Sequence, residues 1–159
     1  MKEFEFGVDL YETPGHLIRR LQQAAVSIFM AETAAVGLDL TPPQFGALTM
    51  AKHHPGIDQV TLAGLIAYDK VTIGDVVSRL VSKGLLRRSI SKTDRRSKAL
   101  YLTEEGEEYL ARLVPRVQRV QEQILAPLNE LEQQAFLLLL RKVTEGVNDR
   151  SRAPLRTAD

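Results

Sequence analysis

The stretch 62-LAGLIAYDKVTIGDVVSRLVSKGLL-86 has the form of two short helices joined by a tight turn. The first helix is predicted over about 58–67 and the second over 70–84, with the dipeptide YD between them. In the second helix the apolar residues recur at intervals of three and four, which places them on one buried face. They are Ile73, Val76, Val77, Leu80 and Val81. The inner residues predicted for the first helix are Val60, Leu62, Ala63, Leu65 and Ile66. This pattern predicts a helix-turn-helix.

A charged hairpin is predicted directly after it, within 89-SISKTDRRSKALYLTEEG-106. Two strand-like runs flank its tip, and Leu100 and Leu102 alternate as in a half-buried strand. The charged residues of the tip are Lys92, Asp94, Arg95, Arg96 and Lys98. Thr103 suits the N-cap of a following helix whose first turn is acidic, which complements the helix dipole. The hairpin is interpreted as the wing of a winged helix.

Long apolar helices are predicted at both ends of the chain. One runs from His16 to about Val36, and the last runs from about Asn129 to Val147 after a long helix that begins at Thr103. Such helices have few short-range partners, so they can be buried against each other or against the same helices of a second copy. This predicts a helical dimerisation layer.

The predicted fold class is therefore mainly α with a small β-hairpin wing, a winged helix-turn-helix plus a helical dimerisation layer. Residues 1–36 are assigned to an N-terminal arm and dimerisation helix, and 37–102 to the DNA-binding lobe. Residues 103–159 are assigned to the C-terminal dimerisation helices and a frayed basic tail, NDRSRAPLRTAD.

The composition excludes several classes of function. The chain has no cysteine, which removes disulfides, thiolate zinc sites and thiol redox sensing and fits a cytoplasmic location. The N-terminal region has no signal-peptide pattern, and the longest apolar run, AFLLLL at 135–140, is too short to span a membrane. No catalytic triad, paired carboxylates or glycine-rich phosphate loop has supporting context. We expect no enzyme activity, no cofactor and no metal site.

The charge is strongly segregated along the chain. Residues 70–98 contain nine Lys or Arg against only Asp75 and Asp94, whereas the whole chain has a net charge of +1. A basic segment in a nearly neutral protein indicates a local anionic partner, for which phosphates are the usual candidate. The alternative is a basic face that only contacts water.

The second helix of a helix-turn-helix enters the major groove of DNA, N-terminal residues first. The outward residues predicted to contact DNA are Lys70, Val71, Thr72, Asp75, Ser78 and Arg79. Thr72 and Ser78 can hydrogen-bond to bases or phosphates, and Lys70 and Arg79 suit phosphates. Val71 could pack on a thymine methyl group. The carboxylate of Asp75 either accepts a hydrogen bond from a cytosine amine or repels other sequences.

At the wing tip the predicted DNA contacts are Lys92, Asp94, Arg95 and Arg96. An arginine at the tip can insert into the minor groove, where the negative potential is strongest in narrow A·T-rich regions. Asp94 would pair with one arginine and hold the loop in shape. We favour Arg95 as the inserted residue and Arg96 as the partner of Asp94, although the sequence does not order the two.

The chain resembles the MarR family of winged-helix transcriptional regulators over nearly its whole length. The resemblance extends from GHLIRRLQQ through LTPPQFGAL and the helix-turn-helix to DRRSKALYLTEEG and the last helix. Its most specific part is the wing pattern Asp94-x-Arg96 followed by Leu102-Thr103-x-x-Gly106. It implies a homodimer that represses from a palindromic operator and is released by a small phenolic or aromatic acid. Gly74 and Asp75 depart from the polar or basic residues usual in the recognition helix.

The segment 12-ETPGHLIRR-20 looks like regulators of aromatic and heteroaromatic acid catabolism. The resemblance places the ligand between the dimerisation helices and the DNA-binding lobe, at the start of the first helix. The ligand-binding residues predicted there are Tyr11, His16, Arg19, Arg20 and Gln23. Arg20 shares one side of the helix with His16 and Gln23 and could hold a carboxylate bidentately, while a second protomer could cover Arg19. Alternatively, these residues form salt bridges between subunits or face water.

The predicted function is a homodimeric, sequence-specific DNA-binding repressor that a small aromatic carboxylate releases from a palindromic operator. Two alternatives stay open at this point. One is a winged-helix module whose basic hairpin docks an acidic protein, and the other is a DNA-binding activator or architectural factor without a ligand.

Overall fold

The computed structural model describes residues 9–90 and 98–157, and within these ranges helices surround a small antiparallel sheet. This confirms the predicted fold class. In chain order, after a 3-10 turn at Leu10–Glu12, the elements are α1 (Pro14–Ala34), α2 (Pro42–His53), β1 (Ile57–Asp58), α3 (Gln59–Leu65), α4 (Lys70–Ser82), β2 (Leu86–Ile90), β3 (Lys98–Leu102), α5 (Glu104–Leu125) and α6 (Glu130–Gly146), followed by a 3-10 turn at Asn148–Arg150.

Short-range capping sets the ends of several helices. The backbone N–H of Thr41 donates to Oε1 of Gln44 over 2.9 Å at the start of α2, where prolines fill the first positions. At the start of α6, Asn129 and Glu132 exchange two such bonds, at 2.9 and 3.0 Å. Gly37, with φ of 70°, follows α1 in the left-handed conformation that glycine favours. The start of α6 agrees with the helix predicted from about Asn129.

The sheet has three strands in the order β1-β3-β2, all antiparallel. The wing hairpin pairs Leu86 with Leu102 and Ile90 with Lys98. Strand β1, which was not predicted, pairs Ile57 with Leu100. Because β1 has only two residues, it leaves no alternation in the sequence.

The core lies between α2, α3, α4 and the first half of α5. Its fully buried residues include Leu40, Leu48, Leu62, Ile73, Leu80 and Leu113. The predicted buried face of α4 is confirmed for Ile73, Val76, Val77 and Leu80. The prediction for Val60 was wrong, since it is 57% exposed while Leu62 and Ala63 turn inward.

Gly106 joins the base of the wing to α5. Its N–H donates to Oγ1 of Thr103 over 2.9 Å, and that hydroxyl donates to the carbonyl of Gly84 over 2.6 Å. A Cβ on Gly106 would lie only 2.2 Å from the backbone oxygen of Leu85. The close approach of these two backbones is the physical reason for glycine at this position of the wing pattern.

Two helices leave broad apolar surfaces exposed. Helix α1 buries Phe29 and Thr33 but exposes most of its predicted apolar stripe, including Leu17 at 46%. Helix α6 has no buried residue among those described. Its exposed apolar residues are Leu131, Leu137, Leu138, Leu139, Leu140, Val143 and Val147. Contiguous apolar surface of this kind marks an interaction site.

The C-terminal segment is not a frayed tail, and that prediction was wrong. The N–H of Arg156 donates to the carbonyl of Gly64 in α3 over 2.9 Å. Asn148 and Leu155 close the segment on itself, because the Asn148 side chain accepts from Leu155 N at 2.8 Å and donates to Leu155 O at 3.1 Å. The segment therefore docks on the helix-turn-helix. The division at 36/37 and 102/103 remains a prediction.

Over residues 9–90 and 98–157, no helix combines the length and hydropathy needed to cross a membrane.

Candidate nucleic-acid interface

The tight turn between α3 and α4 ends at Asp69, which caps α4. Its carboxylate accepts from the N–H groups of Val71 and Thr72 at 3.1 and 2.9 Å and from the Thr72 hydroxyl at 2.8 Å. The N–H of Thr72 is the largest of the causes that lower the pKa of Asp69, followed by the Thr72 hydroxyl. Ala67, in the turn itself, adopts a positive φ of 55°. The turn and the cap fix where α4 begins.

Asp58 caps α3 in the same way. It accepts from the N–H groups of Val60 and Thr61 at 2.9 and 3.0 Å and from the Thr61 hydroxyl at 2.6 Å. Burial raises the pKa of Asp58, but these hydrogen bonds together outweigh it, so the pKa lies below its ordinary value. Both helices of the motif therefore begin at an ionised aspartate.

The outward face of α4 is available for contact with a partner. Lys70, Val71, Asp75, Ser78 and Arg79 are exposed, and Thr72 is half-buried because its hydroxyl belongs to the cap. Val71 is 78% exposed, so its apolar side chain is accessible to a partner. This face presents cationic, polar and apolar groups side by side.

The wing is tied to this face by a contact that the sequence did not reveal. The Arg88 guanidinium in β2 donates from Nη2 to Oγ of Ser78 over 2.9 Å. On the neighbouring residue, the Arg87 guanidinium lies 4.3 Å from the centre of the Tyr101 ring. Both arginines counted towards the basic segment, but the partner of Arg87 depends on the register of the hairpin and that of Arg88 on how the wing packs against α4.

The predicted wing-tip contacts, Lys92, Asp94, Arg95 and Arg96, lie outside the described residues. Strand β2 ends at Ile90 and strand β3 begins at Lys98, on either side of this segment. The two strands that flank this segment are thus paired as an antiparallel hairpin.

A second contact missed by the sequence fixes the C-terminal end of α4. Lys83 Nζ lies 3.1 Å from Oδ2 of Asp39 and also donates to the Asp39 carbonyl. Lys83 and Arg79 line a polar cleft of about 370 Å³ between α4 and the start of α2. Two cations are therefore placed beside the outward face, where phosphate contacts are predicted.

Four of the five predicted effector residues come together at the start of α1. Arg19 donates from Nη1 to Oε1 of Gln23 over 2.8 Å, and its Nη2 lies 3.5 Å from Nδ1 of His16. The Tyr11 ring meets the His16 ring edge-on, with centroids 5.7 Å apart. Arg19 makes these contacts and Arg20 takes no part in them, so the arginine in the cluster is Arg19.

The cluster lies on the open surface of the single chain, beside the exposed apolar residues Leu17 and Leu21 of α1. A small molecule bound there would need a further wall to be enclosed. Within residues 9–90 and 98–157, no group of three or more His, Cys, Asp or Glu is placed to hold a metal ion.

Comparison with known proteins shows the family to which the chain belongs. The sequence profile of the MarR family matches residues 40–98. The Escherichia coli protein "Transcriptional regulator HosA" is 34% identical over 128 residues, which cover 80% of this chain and 92% of that protein.

Two solved structures have the same fold. The transcriptional regulator PcaV from Streptomyces coelicolor, in complex with its natural ligand, is 39% identical, with a TM-score of 0.78 and coverage of 87% and 96% of the two chains. BpsR from Bordetella bronchiseptica is 30% identical, with a TM-score of 0.80 and coverage of 86% and 96%. The BpsR structure concerns regulation of DNA binding by 6-hydroxynicotinic acid.

Proposed function

Since the chain belongs to the MarR family of transcriptional regulators, we propose that it is a repressor that acts as a homodimer on a palindromic operator and is released by a small aromatic carboxylate. The proteins to which it is similar are transcriptional regulators, so the expectation of no enzyme activity is confirmed. A cytoplasmic location belongs to the proposal, because the partner is chromosomal DNA.

The exposed apolar surfaces of α1 and α6 support the homodimer. In one chain α6 buries none of its described residues, although its apolar residues cover most of its length. Pairing these helices with those of a second copy would remove the surface from water. A two-fold dimer then presents two copies of α4 about 34 Å apart, at successive major grooves on one face of the duplex.

The outward face of α4 supports sequence-specific binding. We assign base contacts to Val71, Thr72, Asp75 and Ser78, and phosphate contacts to Lys70 and Arg79. The wing residues Lys92, Asp94, Arg95 and Arg96 complete the interface in this proposal, with one arginine in the minor groove.

The arrangement of Arg19, His16, Gln23 and Tyr11 supports the aromatic carboxylate. The guanidinium of Arg19 can hold a carboxylate bidentately, and His16 or Tyr11 can meet a ring hydroxyl or ring nitrogen. The partner protomer would supply the missing wall. The effect on BpsR of 6-hydroxynicotinic acid, which combines a carboxylate with a hydroxylated ring, agrees with this chemistry.

Release requires that the effector bind the free form more tightly than the operator-bound form. Moving the protein from mostly bound to mostly free needs a difference of several kcal/mol, shared over the two sites of a dimer. An acid that binds both forms equally would leave the operator occupied.

The proposed DNA contacts rest chiefly on one observation. Asp69 caps α4, and the helix exposes Val71 and Arg79 on its outward face. The test is fluorescence anisotropy on a palindromic duplex from the gene's own upstream region, with a random duplex of equal length as control. Tight binding that 6-hydroxynicotinate or another aromatic acid relieves would support the whole proposal. Tight binding that no aromatic acid relieves would reject the effector, and equal binding to both duplexes would reject the operator.

A further inference from the structure

We infer that residues 148–157 form a second part of the DNA interface, in which Arg152 bridges Asp69 and a backbone phosphate next to the recognition helix α4. The inference rests on the proposed DNA contacts of α4 and adds a segment outside the winged helix-turn-helix.

The segment has a defined conformation rather than a loose one. The paired bonds between Asn148 and Leu155 close a loop, and the N–H of Ala153 donates to Oγ of Ser151 over 3.1 Å inside it. The backbone of Arg156 is anchored on the Gly64 carbonyl. A Cβ on Gly64 would lie 3.2 Å from Cβ of Arg156, so this glycine lets the segment approach α3 closely.

Arg152 extends from this loop to the start of α4. Its Nη2 lies 3.1 Å from Oδ2 of Asp69, the N-cap of the helix. The side chain of Arg152 is 88% exposed, whereas that of Asp69 is only 28% exposed. A guanidinium has five N–H donors in a planar fork, so one edge can bind the carboxylate while the other remains directed to solvent.

This location faces the expected path of the DNA backbone. In a helix-turn-helix the N-terminal residues of the second helix enter the major groove, and the first helix crosses the backbone. The segment forms a cleft of about 480 Å³ with both helices. Thr61 of α3, Lys70 of α4, Arg152 and Arg156 line it together. Three cations thus border a cleft at the end of α4 that points towards DNA.

The charges at this end of the motif explain why an arginine is useful there. Asp58 and Asp69 cap α3 and α4, and hydrogen bonds hold the pKa of each below its ordinary value. Both are therefore anionic at neutral pH and would repel a phosphate. A guanidinium bound to Asp69 offsets this repulsion and supplies a donor for the phosphate.

The test measures operator binding of Arg152→Ala as a function of salt. Each lost phosphate contact reduces the slope of log K against log salt concentration by about 0.9, and a dimer loses one contact per protomer. We expect a slope smaller by roughly 2 and weaker binding to operator and random duplex alike, since phosphate contacts read no sequence. Arg119→Ala removes the same charge from an exposed site on α5 and should keep the wild-type slope.

A chain that ends at Val147 provides a second variant, and it should lose at least as much slope as Arg152→Ala. If Arg152→Ala weakens binding but keeps the slope, Arg152 only positions α4 and the inference is wrong. It is equally wrong if neither variant changes binding. If instead the wild-type protein binds the operator and the random duplex equally, the proposed function is wrong. Failure of the inference and failure of the proposed function therefore give different results.

Discussion

Arg88 of β2 donates a hydrogen bond to Ser78 of α4 over 2.9 Å, and this bond connects the wing to the outward face of the recognition helix. Ser78 still has its own hydroxyl proton to donate, so it can contact Arg88 and DNA at once. The orientation of the wing and the presentation of Ser78 therefore depend on each other.

This connection predicts non-additive effects on operator binding. Arg88→Ala and Ser78→Ala should each weaken binding. The loss of binding free energy in the double variant should be smaller than the sum of the two single losses by about 0.5–1 kcal/mol. A double-mutant cycle of anisotropy titrations measures the coupling. Additive losses would show that the two residues act on DNA independently.

Gly106→Ala should destabilise the fold, because the new Cβ would overlap the Leu85 carbonyl oxygen at 2.2 Å. Overpacking of this kind costs about 1–3 kcal/mol, which a denaturant titration of the free energy of unfolding detects. Gly146→Ala is the matched control, since nothing lies within 4 Å of its added Cβ. Equal stability of the two variants would contradict the close approach of α5 to the base of the wing.

The cap of α4 predicts a specific pH dependence. The pKa of Asp69 is lower in the folded chain than in the unfolded chain, so its contribution to stability is fully present above the unfolded pKa, near 4. The contribution disappears as the pH falls through the folded pKa. Asp69→Asn, which keeps an N-cap residue but removes the charge, should be less stable than wild type at pH 7 and should approach the stability of wild type as the pH falls below the folded pKa.

Thermal unfolding of both proteins between pH 2 and pH 7 would measure this difference. Asp58→Asn is the parallel variant at the cap of α3. Identical acid sensitivity of wild type and Asp69→Asn would contradict the lowered pKa.

Arg19→Ala should weaken release by an aromatic acid and leave operator binding intact. Loss of a charged hydrogen bond costs about 1.5–3 kcal/mol, so roughly 10- to 100-fold more acid would be needed for half-release. Arg20→Ala decides between the two neighbouring arginines, because Arg19 is the one that contacts His16 and Gln23 in the single chain. If Arg20→Ala has the larger effect, the carboxylate binds on the other side of α1.

The exposed apolar surface of α6 predicts a dimer that charge can dissociate. Leu138→Glu combined with Leu139→Glu places carboxylates on a surface that is 68% and 59% exposed in one chain. We expect a monomer in analytical ultracentrifugation and much weaker operator binding. His53→Glu combined with His54→Glu adds the same charge to exposed positions at the end of α2, outside the dimerisation helices, and should leave the dimer intact.

Local patterns made much of this architecture predictable. The caps at Thr41, Asp58, Thr103 and Asn129 join residues two or three positions apart, so they depend on short stretches of sequence, and the cap predicted at Thr103 agrees with the structure. The buried face of α4 follows from the same short-range periodicity. The motifs of the wing and first helix indicated the family that the comparisons show.

Contacts between distant parts of the chain were decided only by the tertiary structure. The pairing of β1 with β3, the bond from Arg88 to Ser78, and the docking of Arg156 on Gly64 leave no periodic signal. The C-terminal segment looked frayed because it is short, polar and contains proline, yet Arg156 and Arg152 bind Gly64 and Asp69, which are far away in the sequence. The sequence by itself determined the helix-turn-helix and its basic character, because both arise from neighbours along the chain. Which arginine lies beside Asp69 or Ser78 depends on how those elements pack, and only the folded chain brings them together.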